Sequence, residues 1–153
     1  MTIRQAKSYL RYVLRHKRYV WQECRQQGLY LRGLLHDLSK LRPDEFVPYA
    51  EHFYQENGQV RSGEPEGDEA FDLAWLKHQQ RNDHHHQSWV LRRDDGSVVA
   101  LPMPMPVVRE MICDWAGAGR AVGSSLTTEE WYAENKKNMI LHEQTQDYIE
   151  LLL

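Results

Sequence analysis

The segment LLHDLSK, residues 34–40, places an imidazole and a carboxylate side by side in a leucine-rich run. The leucines of this run are predicted to form one side of a buried helix: Leu34, Leu35 and Leu38. Burying an ionised carboxylate without a partner is costly in free energy, so the pair His36 and Asp37 needs compensation. An ion pair, for which Lys40 stands one helical turn later, or a bound metal ion would supply it.

Three further ligand-type residues fall within apolar patterns at helical spacing: His16, His78 and Asp114. Neutral imidazole nitrogens and carboxylate oxygens are the ligands that suit Zn, Fe, Mn, Ni or Co. A site between the helices of a bundle holds such ligands in a dry cavity, and each helix fixes one or two of them. An adjacent His-Asp pair is useful there, because the carboxylate can bridge two ions while its neighbour binds one.

Each of these residues also has a purely structural interpretation. His16 alone fits a hydrogen-bonded core histidine, and Asp114 alone fits a buried cap or ion-pair partner. The consecutive histidines 84–86 fit either ligands or a solvated loop tip. Taken together, several buried titratable groups require mutual compensation, which a metal ion supplies most simply. We therefore interpret the set as a metal site.

The elements that must position these residues are mostly helices. Helical patterns cover residues 3–28, 29–41, 43–53, 68–78 and 107–118, and a last helix runs from the capping box of Thr127 and Glu130 to the C-terminus. A polar loop is expected at 56–68, and two short β-prone runs flank Asp95-Gly96. The predicted fold class is all-α: a helical bundle with a small inserted β-hairpin, as one domain over residues 1–153.

Composition excludes several classes of function. The 153 residues carry a net charge of −3, with 19 basic and 22 acidic residues interspersed. This balance argues against an extended nucleic-acid surface and against a polybasic membrane anchor. The N-terminus has no apolar run typical of a secretory signal, and no stretch is long enough to span a membrane, so we expect a cytoplasmic protein. Cys24 and Cys113 are then expected to be reduced core thiols. The tail YIELLL is either a homodimer face or the closing piece of the core.

The order His16, His36-Asp37 and Asp114 resembles the H…HD…D signature of the HD superfamily of metal-dependent phosphohydrolases. The resemblance covers roughly residues 9–118. The extra histidines before the last aspartate resemble the subset of that superfamily with two metal ions. More closely, the segments HDLSKLRPDEFVPY, HQQRNDHHHQSW and EMICDWAGAG resemble a family of small HD-like proteins from bacteria and phages that has no assigned activity.

The resemblance implies an HD-domain-like bundle and a ligand set. The first ion would be held by His16, His36, Asp37 and Asp114. Asp37 would bridge to a second ion held by His78 and by either His84 or His85. His86 is the least favoured of the three, because the relatives carry an aromatic residue there. Ser39 stands where HDIGK-like motifs have glycine. The GYP triplet of the cyclic-dinucleotide branch is absent, which disfavours that substrate class.

The activity implied is hydrolysis of a phosphate ester, with a nucleotide as the first substrate expected. Two ions would lower the pKa of a bridging water and clamp a phosphoryl oxygen, so that hydroxide attacks phosphorus in line. The residues expected to contact phosphoryl oxygens are Lys40, Arg81, Arg120 and Lys136 or Lys137. Glu110, one turn before Asp114, is the candidate general acid/base or outer support for a ligand. Trp89 or Tyr132 could stack on a base.

Two alternatives stay open. A related branch of HD proteins holds a mixed-valent di-iron centre and oxidises C–H bonds with oxygen, and a histidine-rich ligand set suits iron as well as manganese. The other alternative is a non-catalytic, metal-stabilised binding module. The bound metal and its redox behaviour distinguish the oxygenase, and tight binding without turnover distinguishes the module.

Overall fold

The structure is a computed structural model that describes residues 1–63, 65 and 67–153, and these residues are mostly helical. The α-helices are α1 (Ile3–Gln26), α2 (Tyr30–Leu35), α3 (Pro43–Phe53), α4 (Glu69–Arg81), α5 (Met105–Val122), α6 (Thr128–Asn135) and α7 (Glu143–Leu152). Short 3₁₀ helices cover Leu38–Leu41, His86–Trp89 and Lys136–Asn138. Strands β1 (Val90–Arg92) and β2 (Val98–Ala100) form an antiparallel hairpin, with Val90 opposite Ala100. The all-α class with a small inserted hairpin is confirmed.

The chain divides into two compact units. Unit 1 comprises Met1–Arg15 and Asp37–Arg81, and unit 2 comprises His16–His36 and Asn82–Leu153. The helix α1 therefore contributes its first half to unit 1 and its second half to unit 2. The organisation as one domain over residues 1–153 stays a prediction.

Unit 1 is built on α3 and α4, which pack against each other around an aromatic core that includes Tyr9 of α1. Pro43 begins α3, where its missing N–H is no loss. Asp68 caps α4 by accepting a hydrogen bond from the Phe71 N–H at 3.0 Å. Of the predicted loop 56–68, Glu64 and Glu66 lie outside the described residues.

Unit 2 is built on α5, which packs against α6 and α7. Two glycines allow close helix contacts with the second half of α1. A Cβ at Gly33 of α2 would lie 2.6 Å from the Cβ of Cys24, and a Cβ at Gly117 of α5 would lie 2.4 Å from Cγ2 of Val20. Contacts this close exclude any larger residue without a shift of the helices. These two contacts hold α2 and α5 against α1. His16 lies on α1, His36 directly follows α2, and Asp114 lies on α5.

The prediction of one continuous helix over residues 29–41 is wrong. The helix α2 ends at Leu35, and Asp37 has a φ of 53°, in the left-handed region. The predicted inward leucines are also wrong, because Leu34, Leu35 and Leu38 are 57%, 59% and 44% exposed. Gly33 takes the inward position of α2, and the break then turns His36 and Asp37 inward, each 2% exposed.

The other corrections concern helix ends and faces. The capping box of Thr127 and Glu130 is confirmed, but the helix it begins ends at Asn135 and does not reach the C-terminus. A new helix begins at Glu143, where His142 caps it by accepting from the Gln144 N–H at 3.1 Å. The helix α5 is longer than predicted at both ends. In α1, the apolar residues Ile3 and Leu10 belong to the helical pattern but are exposed.

Cys24 and Cys113 are buried free thiols, as predicted. None of the described helices combines the length and the apolar character that crossing a lipid bilayer requires.

Candidate metal centre

The strongest cluster of ligand-type atoms lies in unit 2, where α1, the end of α2 and α5 meet. Nε2 of His16 and Nε2 of His36 lie 3.1 and 3.2 Å from Oδ1 of Asp114, and 3.4 Å from each other. All three residues are buried. A tetrahedral zinc site with metal–ligand bonds of ~2.0–2.1 Å places its ligand atoms roughly 3.3 Å apart. These three residues could therefore hold a metal ion with little rearrangement.

The orientation of His36 is set by a chain of charged groups. Nδ1 of His36 lies 3.0 Å from Oε1 of Glu110, to which it donates when Nε2 is free to bind a metal ion. Arg32 donates to Oε2 of Glu110 at 2.5 Å and to both oxygens of Asp83 at 3.0 and 2.9 Å. Arg32 comes from α2, one turn before His36, and Glu110 comes from α5, one turn before Asp114. Two helices thus hold one imidazole in a single orientation.

The electrostatics of this cluster favour a cation. Burial would raise the pKa of Asp114, but hydrogen bonds from His16 and His36 hold that pKa well below its usual range. Burial would likewise raise the pKa of Glu110, but His36, His84 and Arg32 lower it overall. Both carboxylates are therefore ionised near neutral pH. An ionised carboxylate among imidazole nitrogens is a donor set that suits Zn, Fe, Mn, Ni or Co.

His84 and His85 also reach this cluster within unit 2. Nδ1 of His84 lies 3.5 Å from Oε1 of Glu110, and its Nε2 lies 3.9 Å from Oδ2 of Asp114. His84, His85 and Asp114 can each offer a ligand atom within 4.8 Å of the others. The choice between His84 and His85 as the predicted ligand therefore stays open. His86 is half-buried and donates to the carbonyl of Ile140, a contact outside this cluster.

Unit 1 contains a second cluster around Asp37 and His78. Nε2 of His78 lies 3.3 Å from Oδ1 of Asp37, whose Oδ2 accepts from Nζ of Lys40 at 2.6 Å. Nδ1 of His78 lies 2.9 Å from Oε2 of Glu45, and Glu45 is fully buried. Arg81 donates to Oε1 of Glu45 at 2.6 Å and also binds Asp44. Burial lowers the pKa of His78, but the two carboxylates raise it more.

Sequence reasoning missed two of these residues. Glu45 and Arg32 received no role in the sequence analysis. A signal was present for each of them. Glu45 stands four residues before the buried Tyr49, on the same face of the helix, and Arg32 stands four residues before His36. A charged residue at that spacing from a buried one points towards the interior.

The remaining predicted substrate residues are distributed between the units. Lys40 and Arg81 lie in unit 1, in the ion pairs described above. In unit 2, Arg120 binds Glu23 at 2.5 Å, and Lys136 is exposed, 3.8 Å from Glu150. Their role towards a substrate stays a prediction. The indole of Trp89 donates to the carbonyl of Asp83, and the ring of Tyr132 stacks on Trp115.

Fold and site together define an all-α protein with buried histidine and carboxylate clusters that could hold a metal ion. A family described as "Family of unknown function (DUF5662)" matches residues 5–153, and the chain therefore belongs to this family. Comparisons with curated proteins and with solved structures gave no match.

Proposed function

We propose that this protein is a metal-dependent phosphohydrolase that acts on a nucleotide or another small phosphate ester. The observation that carries the proposal is the convergence of His16, His36 and Asp114 in unit 2, with Nδ1 of His36 held by Glu110. Buried imidazoles and an ionised carboxylate at this spacing suit a divalent transition metal. The order of these residues along the chain adds support, because it resembles that of the HD-type phosphohydrolases.

The protein's own residues would divide the work as follows. Bound divalent ions would supply a hydroxide nucleophile near neutral pH and positive charge beside the phosphoryl group. His16, His36 and Asp114 would hold an ion in unit 2, and Glu110 would keep His36 oriented. In unit 1, Asp37 and His78 offer a carboxylate oxygen and an imidazole nitrogen for a second ion. Lys40 places a buried ammonium beside Asp37, where it can donate to a phosphoryl oxygen.

The di-iron oxygenase remains the second candidate. It is favoured by the number of buried or half-buried histidines at the two clusters: His16, His36, His78, His84 and His85. Imidazole is a good ligand for iron, and this set does not discriminate against it. The metal that the purified protein retains separates the two activities.

The first experiment is elemental mass spectrometry on protein purified without a chelator and without a histidine tag. One or two equivalents of Mn, Ni, Co or Zn, together with release of inorganic phosphate from a panel of nucleoside phosphates, would support the proposal. Iron with redox-active spectra would move the oxygenase forward. Protein that retains no metal and takes up none on titration would contradict both. The matched control is His142→Asn, which removes an imidazole outside the clusters and preserves a side chain that can cap α7.

A further inference from the structure

The exposed face of α1 carries a stripe of positive charge. Six basic side chains form this basic stripe, and all of them are exposed: Arg4, Lys7, Arg11, Arg15, Arg18 and Arg25. At roughly 100° per residue they fall within an arc of about 80°, on which no acidic residue stands. None of the six forms an ion pair with another described residue. The charge of the basic stripe can therefore be met by a partner outside the chain.

The net charge of the chain conceals the basic stripe. The whole chain has 19 basic and 22 acidic residues, but α1 has seven lysines and arginines and a single acidic residue, Glu23. Glu23 is bound by Arg120 and lies off the stripe. This leaves 12 basic and 21 acidic residues for the rest of the chain. A negatively charged partner would be attracted to α1 and repelled by the remainder, so the charge would also orient the protein on that partner.

Large apolar side chains lie beside the basic stripe. On α1, helical spacing places the exposed residues Ile3, Leu10 and Leu14 next to it, and Ile3 is 75% exposed. Trp21 follows Leu14 on the same side of α1, and its ring lies 6.5 Å from that of Tyr30 in α2. In unit 2, α2 therefore continues the apolar side of α1. Its leucines are exposed there as well: Leu31, Leu34 and Leu35.

This pairing of charge with apolar surface distinguishes between the polyanions that the stripe could meet. Exposed leucines gain free energy when they enter the acyl boundary of a lipid bilayer, whereas on a nucleic acid they would face charged phosphates. A second copy of the chain is disfavoured, because an isologous contact through this face would bring two basic stripes together. An acidic bilayer satisfies both the cations and the leucines.

We propose that the exposed face of α1, with the adjoining leucines of α2, binds the surface of a bilayer that contains acidic phospholipids. The basic stripe contacts the phosphate and carboxylate groups of the lipid heads, and the leucines enter between the heads. The stripe runs along a helix of 24 residues, about 36 Å long, so α1 lies along the membrane surface. This surface is independent of the metal clusters, and its test does not depend on the proposed hydrolase activity.

The test is co-sedimentation of the full chain with lipid vesicles at low and at physiological ionic strength. Vesicles of phosphatidylcholine with about 30% phosphatidylserine supply the acidic surface, and vesicles of phosphatidylcholine alone are the neutral comparison. We expect binding to the acidic vesicles that weakens as the salt concentration rises, and little binding to the neutral ones. Binding to neither kind of vesicle, or equal binding to both, would overturn the inference.

Charge variants test whether the basic stripe is the surface that binds. Arg11→Gln combined with Arg18→Gln should bind the acidic vesicles roughly 10- to 100-fold more weakly, because each basic residue near such a membrane contributes roughly 3- to 10-fold. The matched control is Arg92→Gln combined with Arg93→Gln, which removes two exposed charges near the hairpin turn. It should bind as the wild type does. Equal losses in the two double variants would mean that total charge alone matters, and would overturn the assignment to α1.

Leucine variants separate a bilayer from a nucleic acid. Leu31→Gln combined with Leu34→Gln keeps the charge and retains good helix-forming residues, and should bind acidic vesicles roughly 10-fold more weakly. Circular dichroism checks that the helices are retained. A short DNA or RNA duplex is the competing probe, measured at the same salt concentration. Tighter binding of the wild type to the duplex than to the vesicles, with no effect of the leucine substitutions, would overturn the inference in favour of a nucleic-acid surface.

Discussion

Units 1 and 2 each hold one histidine in the same way, through a buried glutamate that is bound by an arginine. The series is Asp83, Arg32, Glu110 and His36 in unit 2, and Asp44, Arg81, Glu45 and His78 in unit 1. In both, the glutamate faces Nδ1 of the imidazole, and the arginine comes from a position three or four residues away from the histidine. The support of the imidazole is thus the same in the two units.

The difference lies at the other imidazole nitrogen. Nε2 of His36 faces two other potential metal-ligand atoms of its own unit: Nε2 of His16 at 3.4 Å and Oδ1 of Asp114 at 3.2 Å. Nε2 of His78 faces a single carboxylate of its own unit, Asp37, which also binds Lys40. Unit 2 therefore offers three converging ligand atoms, whereas unit 1 offers two beside an ammonium. The same support for an imidazole therefore occurs with and without a full set of ligand atoms. We expect the cluster of unit 2 to bind a metal ion more tightly than the cluster of unit 1.

The largest effect is expected from removing His36 itself. His36→Ala deletes an imidazole that contacts His16, Asp114 and Glu110 together. We expect metal binding and activity to be abolished while the helical fold is largely retained. Elemental mass spectrometry and circular dichroism measure the two quantities. Wild-type metal content and turnover in this variant would show that the assignment of the site is wrong.

The next effect concerns the supporting glutamates. Glu110→Gln and Glu45→Gln should each weaken metal binding by roughly 10- to 100-fold, the usual cost of losing such a partner of a ligating histidine. The larger loss of affinity is expected for Glu110→Gln, because Glu110 orients His36, which belongs to the cluster with three ligand atoms. Competition with a chelating dye gives the affinities.

The matched control for the glutamates is Glu23→Gln, which removes an Arg–Glu pair of unit 2 that involves no histidine. It should leave the metal affinity unchanged. An equal loss in Glu23→Gln would mean that general charge, not orientation of the imidazole, sets the affinity.

A smaller effect should follow from disturbing the contact between α2 and α1 at Gly33, three residues before His36. Gly33→Ala places a Cβ 2.6 Å from the Cβ of Cys24, and overpacking of this kind costs about 1–3 kcal/mol. We expect a lower free energy of unfolding and a modest loss of metal affinity. Gly119→Ala in α5, whose nearest contact would be at 3.8 Å, is the control and should be neutral or stabilising. Urea unfolding distinguishes them, and equal stabilities would contradict the close contact.

The smallest effect is expected at the outer carboxylate of unit 1. A hydrogen bond from Arg81 holds the pKa of Asp44 at about 2, below its usual value of about 3.9 in unfolded chains. The stabilisation is therefore present above about pH 4 and is lost as the pH falls towards 2. Asp44→Asn should lower the Tm slightly at pH 7, with a difference that shrinks below pH 4. A difference that does not depend on pH would contradict this ion pair.

Periodicity was sufficient to predict α1, α3, α4 and α5 and the inward direction of His16, His78 and Asp114, because each of these three residues stands in a long, regular apolar pattern. It failed at the leucines around His36, because the chain leaves the helix there and the spacing of 3.6 residues no longer applies. Glu110 was predicted as an outer support for a ligand, but Arg32 and Glu45 were missed, because the ion pairs of Arg32 with Glu110 and of Arg81 with Glu45 join residues that lie far apart in the sequence. Local pattern predicts which face of an element is buried, and only the folded chain shows which charges meet.

The backbone of Asp37 also determines how this position should be mutated. Asp37 is the only described non-glycine residue with a positive φ, at 53°. Aspartate and asparagine tolerate this left-handed region far better than alanine does. An alanine at position 37 would therefore combine the loss of a carboxylate with a backbone penalty, and its phenotype could not be divided between the two. Asp37→Asn removes the charge and preserves the turn, whereas Asp37→Gly relaxes the turn and removes the whole side chain, so this pair of variants separates chemistry from conformation.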